Sequence, residues 1–105
     1  FSLVSAVMSD GVNSEDLRKI SIDLRNRLKN SVVALISNND GKPVLVVAVS
    51  DEARASGIKA GALVKIGSLV LGGGGGGKDD FAQGGGVEPS KSADALSAIS
   101  ASLAG

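Results

Sequence analysis

Two glycine clusters around a short charged segment are the residues best suited to hold a ligand in this chain. Nine of the 15 glycines form the clusters Gly72–Gly77 and Gly84–Gly86, and Lys78, Phe81 and Gln83 lie between them. Because glycine has no Cβ, successive backbone N–H groups can converge on one point and approach a ligand closely. Such a concavity suits phosphate or another anion. We therefore predict a ligand-binding glycine loop in residues 72–86, anchored in the core by Phe81 and assisted by the Lys78 charge and the Gln83 amide.

Two other interpretations of this segment differ in strength. Gly72, Gly77 and Lys78 fit the spacing G-x-x-x-x-G-K of a nucleotide phosphate loop, but Asp79 occupies the position where serine or threonine would bind magnesium. The carboxylate would also repel a triphosphate, so the sequence argues against nucleotide hydrolysis. A mobile glycine loop without a ligand stays open on composition alone.

Neighbouring acidic residues do not form a natural catalytic pair in this sequence. Asp79–Asp80 and Asp51–Glu52 are adjacent, and adjacent residues of an extended chain point to opposite faces. We interpret these carboxylates as solvated or as helix caps.

Composition excludes several classes of site. The 105 residues are enough for one domain, and they include no cysteine and no histidine. Disulfides, thiolate or imidazole metal sites and a histidine base are therefore excluded. The 11 basic and 11 acidic side chains cancel, which argues against general polyanion binding but allows a local basic patch.

The aromatic content limits how the chain could contact nucleic acid. Phe1 and Phe81 are the two aromatic residues, whereas modules that stack single-stranded bases need several exposed rings. We expect any nucleic-acid contact to involve backbone and shape. We also expect a piece of a longer chain without a signal peptide, because the sequence starts at Phe1 without an initiator methionine or a basic n-region.

Apolar spacing predicts most of the secondary structure. A strand is expected over residues 2–8, then a helix from a cap at Asn13 or Ser14 to Asn30, with the ion pairs Glu15–Lys19 and Asp23–Arg27. The apolar stripe of this helix is Leu17, Ile20, Leu24 and Leu28.

The rest of the chain predicts a hairpin followed by helices. The β-branched runs 31–37 and 44–49 should pair as central strands covered on both faces. A short helix ended by Gly57, a helix over 60–71 buried on more than one side, the glycine loop and a terminal helix over 90–103 follow. The order β-α-β-β-α-α-loop-α predicts one α/β (α+β) domain, a small mixed sheet packed by helices.

The first helix also carries a basic stripe. Arg18, Arg25 and Lys29 fall within roughly 40° of one another at 100° per residue. They form either an ordinary solvated face or a contact surface for a phosphate backbone.

At the glycine window the sequence resembles a known family. Six glycines, Lys78, an acidic pair, Phe81, Ala82-Gln83 and a second glycine cluster resemble the C-terminal domain of alanyl-tRNA synthetases. This domain is related to the substrate-binding DHHA1 domain of DHH phosphodiesterases. Asp10-Gly11-Val12 and the two β-branched runs also match the family layout, so the resemblance covers essentially the whole chain.

The resemblance implies a DHHA1-like domain, residues 1–105, of a longer class II synthetase that joins alanine to its tRNA. The domain would bind the outer corner of alanine-accepting tRNA in the cytoplasm, with no chemistry, metal or cofactor of its own, because ATP and zinc would belong to the absent domains. The implied tRNA-binding residues are Gly73, Gly74, Gly75, Gly76, Gly77, Lys78, Gln83, Gly84, Gly85, Gly86, Arg18, Arg25 and Lys29. On this hypothesis Lys78→Ala or Gly75→Val weakens tRNA binding without unfolding the domain.

Two alternatives stay open at this point. DHH phosphodiesterases usually carry histidine directly after the glycine run, where this chain has Lys78, so their substrate-binding domain is the less favoured interpretation. The other alternative is a structural domain that forms dimers through the glycine loop.

Overall fold

One five-stranded mixed sheet organises the chain, which a computed structural model describes over residues 1–104. The strands run in the order β1-β2-β3-β5-β4, with β1 parallel to β2 and the other neighbours antiparallel. The strands are β1 (Ser2–Val7), β2 (Ser31–Asn39), β3 (Lys42–Val49), β4 (Gly75–Gly77) and β5 (Phe81–Gly85). The helices are α1 (Ser14–Arg27), α2 (Asp51–Ala55), α3 (Ala60–Val70) and α4 (Ser92–Ala104), the last preceded by a 3₁₀ turn over Pro89–Lys91.

The central hairpin is confirmed. Strands β2 and β3 pair from Val32–Val49 to Asn39–Lys42. Their apolar side chains are almost completely buried, except that of Val44, which is partly buried. One face of the sheet packs with Leu17 of α1, and the other packs with α3 and α4. Helices of the chain therefore cover apolar clusters on both faces of the sheet.

The first helix starts as predicted and ends early. The Asn13 side chain accepts a hydrogen bond of 2.8 Å from the Asp16 backbone N–H, which satisfies one free donor of the first turn. Both predicted ion pairs form on exposed surface, Lys19–Glu15 at 3.7 Å and Arg27–Asp23 at 2.9 Å. The helix ends at Arg27 rather than at Asn30 because Leu28 is already extended (φ −103°, ψ 110°) and the chain turns into β2.

The prediction of a glycine loop over residues 72–86 was wrong. Gly75–Gly77 and Phe81–Gly85 are the strands β4 and β5, and β5 lies beside the central strand β3. Sequence periodicity cannot reveal β4, because glycine has no side chain to alternate between two faces. In β5 only Phe81, Ala82 and Gln83 have side chains, too few to show a period. The strands form because the free edge of β3 has backbone N–H and C=O groups that need hydrogen-bond partners, and a further strand provides them.

The later helices follow the predicted positions. In α3, Gly67 packs so closely that an added Cβ would lie 2.6 Å from a methyl of Leu45, which explains the glycine. The helix is less enclosed than predicted, however, because Leu69 is 75% exposed. Within residues 1–104, every helix is too short or too polar to span a bilayer.

Candidate functional site

An open groove of about 530 Å³ lies between α1 and the hairpin of β4 and β5. Helix α1 packs over β2 and β3, whereas α3 covers β3, β4 and β5 on the opposite face of the sheet. The groove therefore forms where α1 stops and the glycine hairpin continues. Its lining residues are Arg18, Ile22, Arg25, Gly76, Gly77, Lys78, Asp80, Phe81, Ala82 and Gln83.

One face of α1 forms the wall of the groove. Arg18, Ile22 and Arg25 are spaced by four and three residues, so they share one side of the helix. The Arg18 guanidinium lies over the ring of Phe81, 5.4 Å from its centroid. The Arg25 guanidinium donates a 3.2 Å hydrogen bond to the backbone oxygen of Asp80. The hydrogen bond of Arg25 thus ties the helix to the hairpin, Arg18 only contacts it, and both guanidinium groups retain further donors for a ligand.

The turn that joins β4 to β5 is held from several sides. The Lys78 N–H donates to the Phe81 oxygen at 3.0 Å. The oxygens of Asp79 and Asp80 accept from the N–H groups of Ala60 and Val49, each at 2.9 Å. This segment is therefore pinned to α3 and β3, which gives the exposed Lys78 side chain a fixed origin.

The glycine N–H groups do not converge on one point as predicted, because Gly75–Gly77 and Gly84–Gly85 lie in strands. Much of the glycine backbone is paired within the chain, as in the bonds from Gly73 to the Ser68 oxygen (2.9 Å), from Gly85 to that of Gly74 (3.3 Å) and from Gly86 to that of Pro43 (3.3 Å). Gly76 and Gly77 instead contribute bare backbone to the groove lining, which a ligand can approach closely.

Several predicted glycines are explained by internal packing. A Cβ added at Gly73 or Gly86 would lie 2.2 or 2.1 Å from a backbone oxygen, and one at Gly85 would lie 2.5 Å from the Pro43 oxygen. A Cβ at Gly75 or Gly84 would lie within 3 Å of Val64 of α3. These five residues support the hairpin, so Gly75→Val should distort the fold, contrary to the expectation from sequence.

Two glycines have no such explanation. A Cβ on Gly74 or Gly76 would meet nothing within 4 Å, and neither residue has a positive φ. Gly76 lies in the groove opposite Gln83, which shares the groove face with Phe81, whereas Gly74 is outside the groove lining. Gly76 therefore leaves open floor beside the cationic wall.

The groove is basic although the chain is neutral. Arg18, Arg25 and Lys78 line it together with one carboxylate, that of Asp80, for a formal local charge of +2, while the whole chain has a formal charge of zero. A cationic, concave surface raises the local concentration of anions. Within residues 1–104, no group of three or more acidic side chains is placed to hold a metal ion.

Lys29 lies apart from the other predicted cations. It follows the end of α1 and lines a neighbouring cleft of about 330 Å³ that shares Arg25 and Asp80 with the groove. In that cleft, Lys29, Arg25 and Arg54 face Asp51, Glu52 and Asp80, so the formal charges balance. The basic stripe expected from sequence is therefore broken after Arg25.

Ile22 is a lining residue that the sequence analysis did not identify. It sits between Arg18 and Arg25 on the same helical face, a spacing that could have revealed it. Its apolar side chain gives the wall a mixed character, with charge at both ends and hydrocarbon in the middle.

The same arrangement of strands and helices occurs in a solved structure. The crystal structure of the C-Ala domain from Aquifex aeolicus alanyl-tRNA synthetase matches with a TM-score of 0.90 and 36% sequence identity, covering 98% of this chain and 91% of that chain.

Sequence relatives agree with the structural match. The chain is 46% identical over 105 residues to the alanine–tRNA ligase of Cutibacterium acnes, covering 98% of this chain and 12% of the ligase. It is 52% identical over 91 residues to that of Kineococcus radiotolerans, covering 84% of this chain and 10% of the ligase. The chain thus spans about a tenth of the length of these relatives.

A family model adds the last comparison. The DHHA1 domain model matches residues 1–105, which confirms the resemblance found at the glycine window. Matched along its whole length by this model and over 98% of its length by the Aquifex fold, the chain belongs to the DHHA1 domain family.

Proposed function

We propose that residues 1–105 are the C-terminal, tRNA-binding domain of an alanine–tRNA ligase. The observation that carries the proposal is the groove, where two arginines of α1 and Lys78 surround the open glycine floor. The domain contacts the outer corner of alanine-accepting tRNA and performs no chemistry itself. In the complete ligase it helps to present the acceptor end for aminoacylation and editing.

The physical character of the groove supports a folded RNA as partner. Cationic side chains along one wall suit the phosphates of a backbone. The glycine surface lets that backbone approach the sheet without steric interference. The matched relatives are named alanine–tRNA ligases, which supports alanine as the amino acid of the complete enzyme. We propose that this enzyme works in the cytoplasm.

The direct test is a binding titration of this chain with folded alanine-accepting tRNA. An unstructured RNA of equal length serves as the reference, at low and moderate salt. We expect tighter binding to the folded tRNA. A domain that binds both RNAs equally would contradict the proposal.

The groove itself is tested by a matched pair of valine substitutions. Gly76→Val places a branched side chain on the open floor, and we expect binding about tenfold weaker, or about 1.4 kcal/mol. Gly74→Val is the control, because its Cβ is equally free of contacts but lies outside the groove lining. Equal binding by the two variants would place the RNA elsewhere on the domain.

A further inference from the structure

The aromatic residue in the interior of the sequence lies in the groove. Phe81 is one of two aromatic residues in the chain. Phe81 is partly buried and packs against the core cluster that includes Leu17 and Val46. The Arg18 guanidinium lies over the ring at 5.4 Å, and both residues line the groove.

The contact between the Arg18 guanidinium and the Phe81 ring contributes little free energy. Arg18 is exposed, whereas Phe81 is partly buried. A cation over an aromatic ring at an exposed site contributes little, because water solvates the charge equally well when it moves away. A nucleobase offers the same ring a larger flat π-surface, and stacking of bases on aromatic side chains is a substantial, sequence-tolerant contact.

The surroundings of the ring fit a base and its sugar. Gln83 shares a face of β5 with Phe81, since alternate residues of a strand point to the same side. Its amide offers two donors and an acceptor to the edge of a base. Gly76, paired with Gln83 on β4, leaves room beside the amide, and the groove volume is within the range of small-ligand sites.

We propose that Phe81 stacks on one nucleobase of the bound RNA, which takes the place of Arg18 over the ring. The released Arg18 then contacts a phosphate next to that base, and Gln83 bonds the edge of the base. This inference rests on the proposed function, and it adds one base contact to the backbone contacts expected from sequence.

The absence of tryptophan and tyrosine from the chain makes a direct optical test available. In Phe81→Trp the new indole is the sole tryptophan, and we expect its fluorescence to be quenched as folded alanine-accepting tRNA saturates the domain. Phe1→Trp is the matched control, because Phe1 is 56% exposed and is not a lining residue of the groove. Its fluorescence should stay constant.

Affinity provides an independent measurement. Phe81→Leu keeps an apolar side chain against the core, and we expect it to weaken tRNA binding about 5- to 30-fold, while Phe81→Tyr restores it. Phe1→Leu should bind as the parent chain does. Urea denaturation of each variant identifies any loss of folding. If Phe81→Leu does not fold, the fluorescence of Phe81→Trp and the affinity of Phe81→Tyr test the stacking contact instead.

The outcomes separate this inference from the proposed function. If the parent chain prefers folded tRNA, but Phe81→Leu binds equally well and Phe81→Trp is not quenched, the stacking contact is wrong and the tRNA-binding function stands. If the parent chain shows no preference for folded tRNA, the proposed function fails and the stacking contact fails with it.

Discussion

At the scale of single residues, the glycines of the hairpin have two roles, close packing on the inner side and open space at Gly76 in the groove. Those on the inner side allow backbones to approach more closely than any side chain permits. Gly86 illustrates this, since its missing Cβ would lie 2.1 Å from the Leu71 oxygen. That oxygen is held by hydrogen bonds from Val87 (2.9 Å) and Glu88 (3.1 Å), so it cannot move away freely.

We therefore expect Gly86→Ala to lower the free energy of unfolding by about 1–3 kcal/mol, the usual cost of overpacking. Urea denaturation measures the change. Gly74→Ala is the control, because its Cβ has open space and alanine restricts the unfolded chain, so its stability should be equal or slightly higher. Equal effects of the two substitutions would show that the close approach at Gly86 does not limit stability.

At the scale of secondary structure, one face of α1 packs on the sheet and another lines the groove. Its buried face, with Leu17 and Ser21, packs on the sheet. Its other face carries Arg18 and Arg25 to the rim of the hairpin. The start of this helix therefore determines both the packing and the position of the groove wall.

The cap of α1 is open to a simple test. Asn13→Ala removes the acceptor of the 2.8 Å bond from Asp16, and we expect the domain to lose about 1 kcal/mol of stability in thermal or urea unfolding. Asn13→Asp retains an acceptor and should be close to the parent chain. If the aspartate variant loses as much as the alanine variant, the bond from Asp16 is not what stabilises the helix.

At the scale of the whole molecule, the position of the charges matters more than their sum. The neutral chain concentrates Arg18, Arg25 and Lys78 around one groove. With so few phosphate contacts, we expect weak tRNA binding by this chain alone. A complete ligase would compensate through the effective concentration that its other domains provide.

The salt dependence of binding should reflect this small number of cations. Each neutralised phosphate contributes about −0.9 to the slope of log K against log salt, so we expect a slope of about −2 to −3 for tRNA. Lys78→Ala should reduce its magnitude by about 1, whereas Lys65→Ala, on the exposed side of α3, should leave it unchanged. A slope that is indifferent to Lys78 would exclude a phosphate contact at this residue.

The sequence alone was sufficient to predict the helices and strands whose apolar residues recur at a regular spacing. The stripe from Leu17 to Leu28 predicted α1, although the helix ends before Leu28. The β-branched runs at 31–37 and 44–49 predicted the buried hairpin, because burial selects apolar residues at the spacing of each element. The motif around Ala82-Gln83 also indicated the family. These patterns involve residues that are close together in the sequence, so they can be recognised without knowing the fold.

Tertiary structure alone decided what the glycines do. The glycine-rich segment has too few side chains to show a period, so β4 and β5 are recognised only from the pairing of β5 with the edge of β3. The same pairing separates Gly76 in the groove from Gly73 and Gly86 in tight packing, and it brings Phe81 under Arg18 of a distant helix. These relations depend on contacts between residues far apart in the chain, and such contacts are determined by how the elements pack, not by the spacing within any one of them.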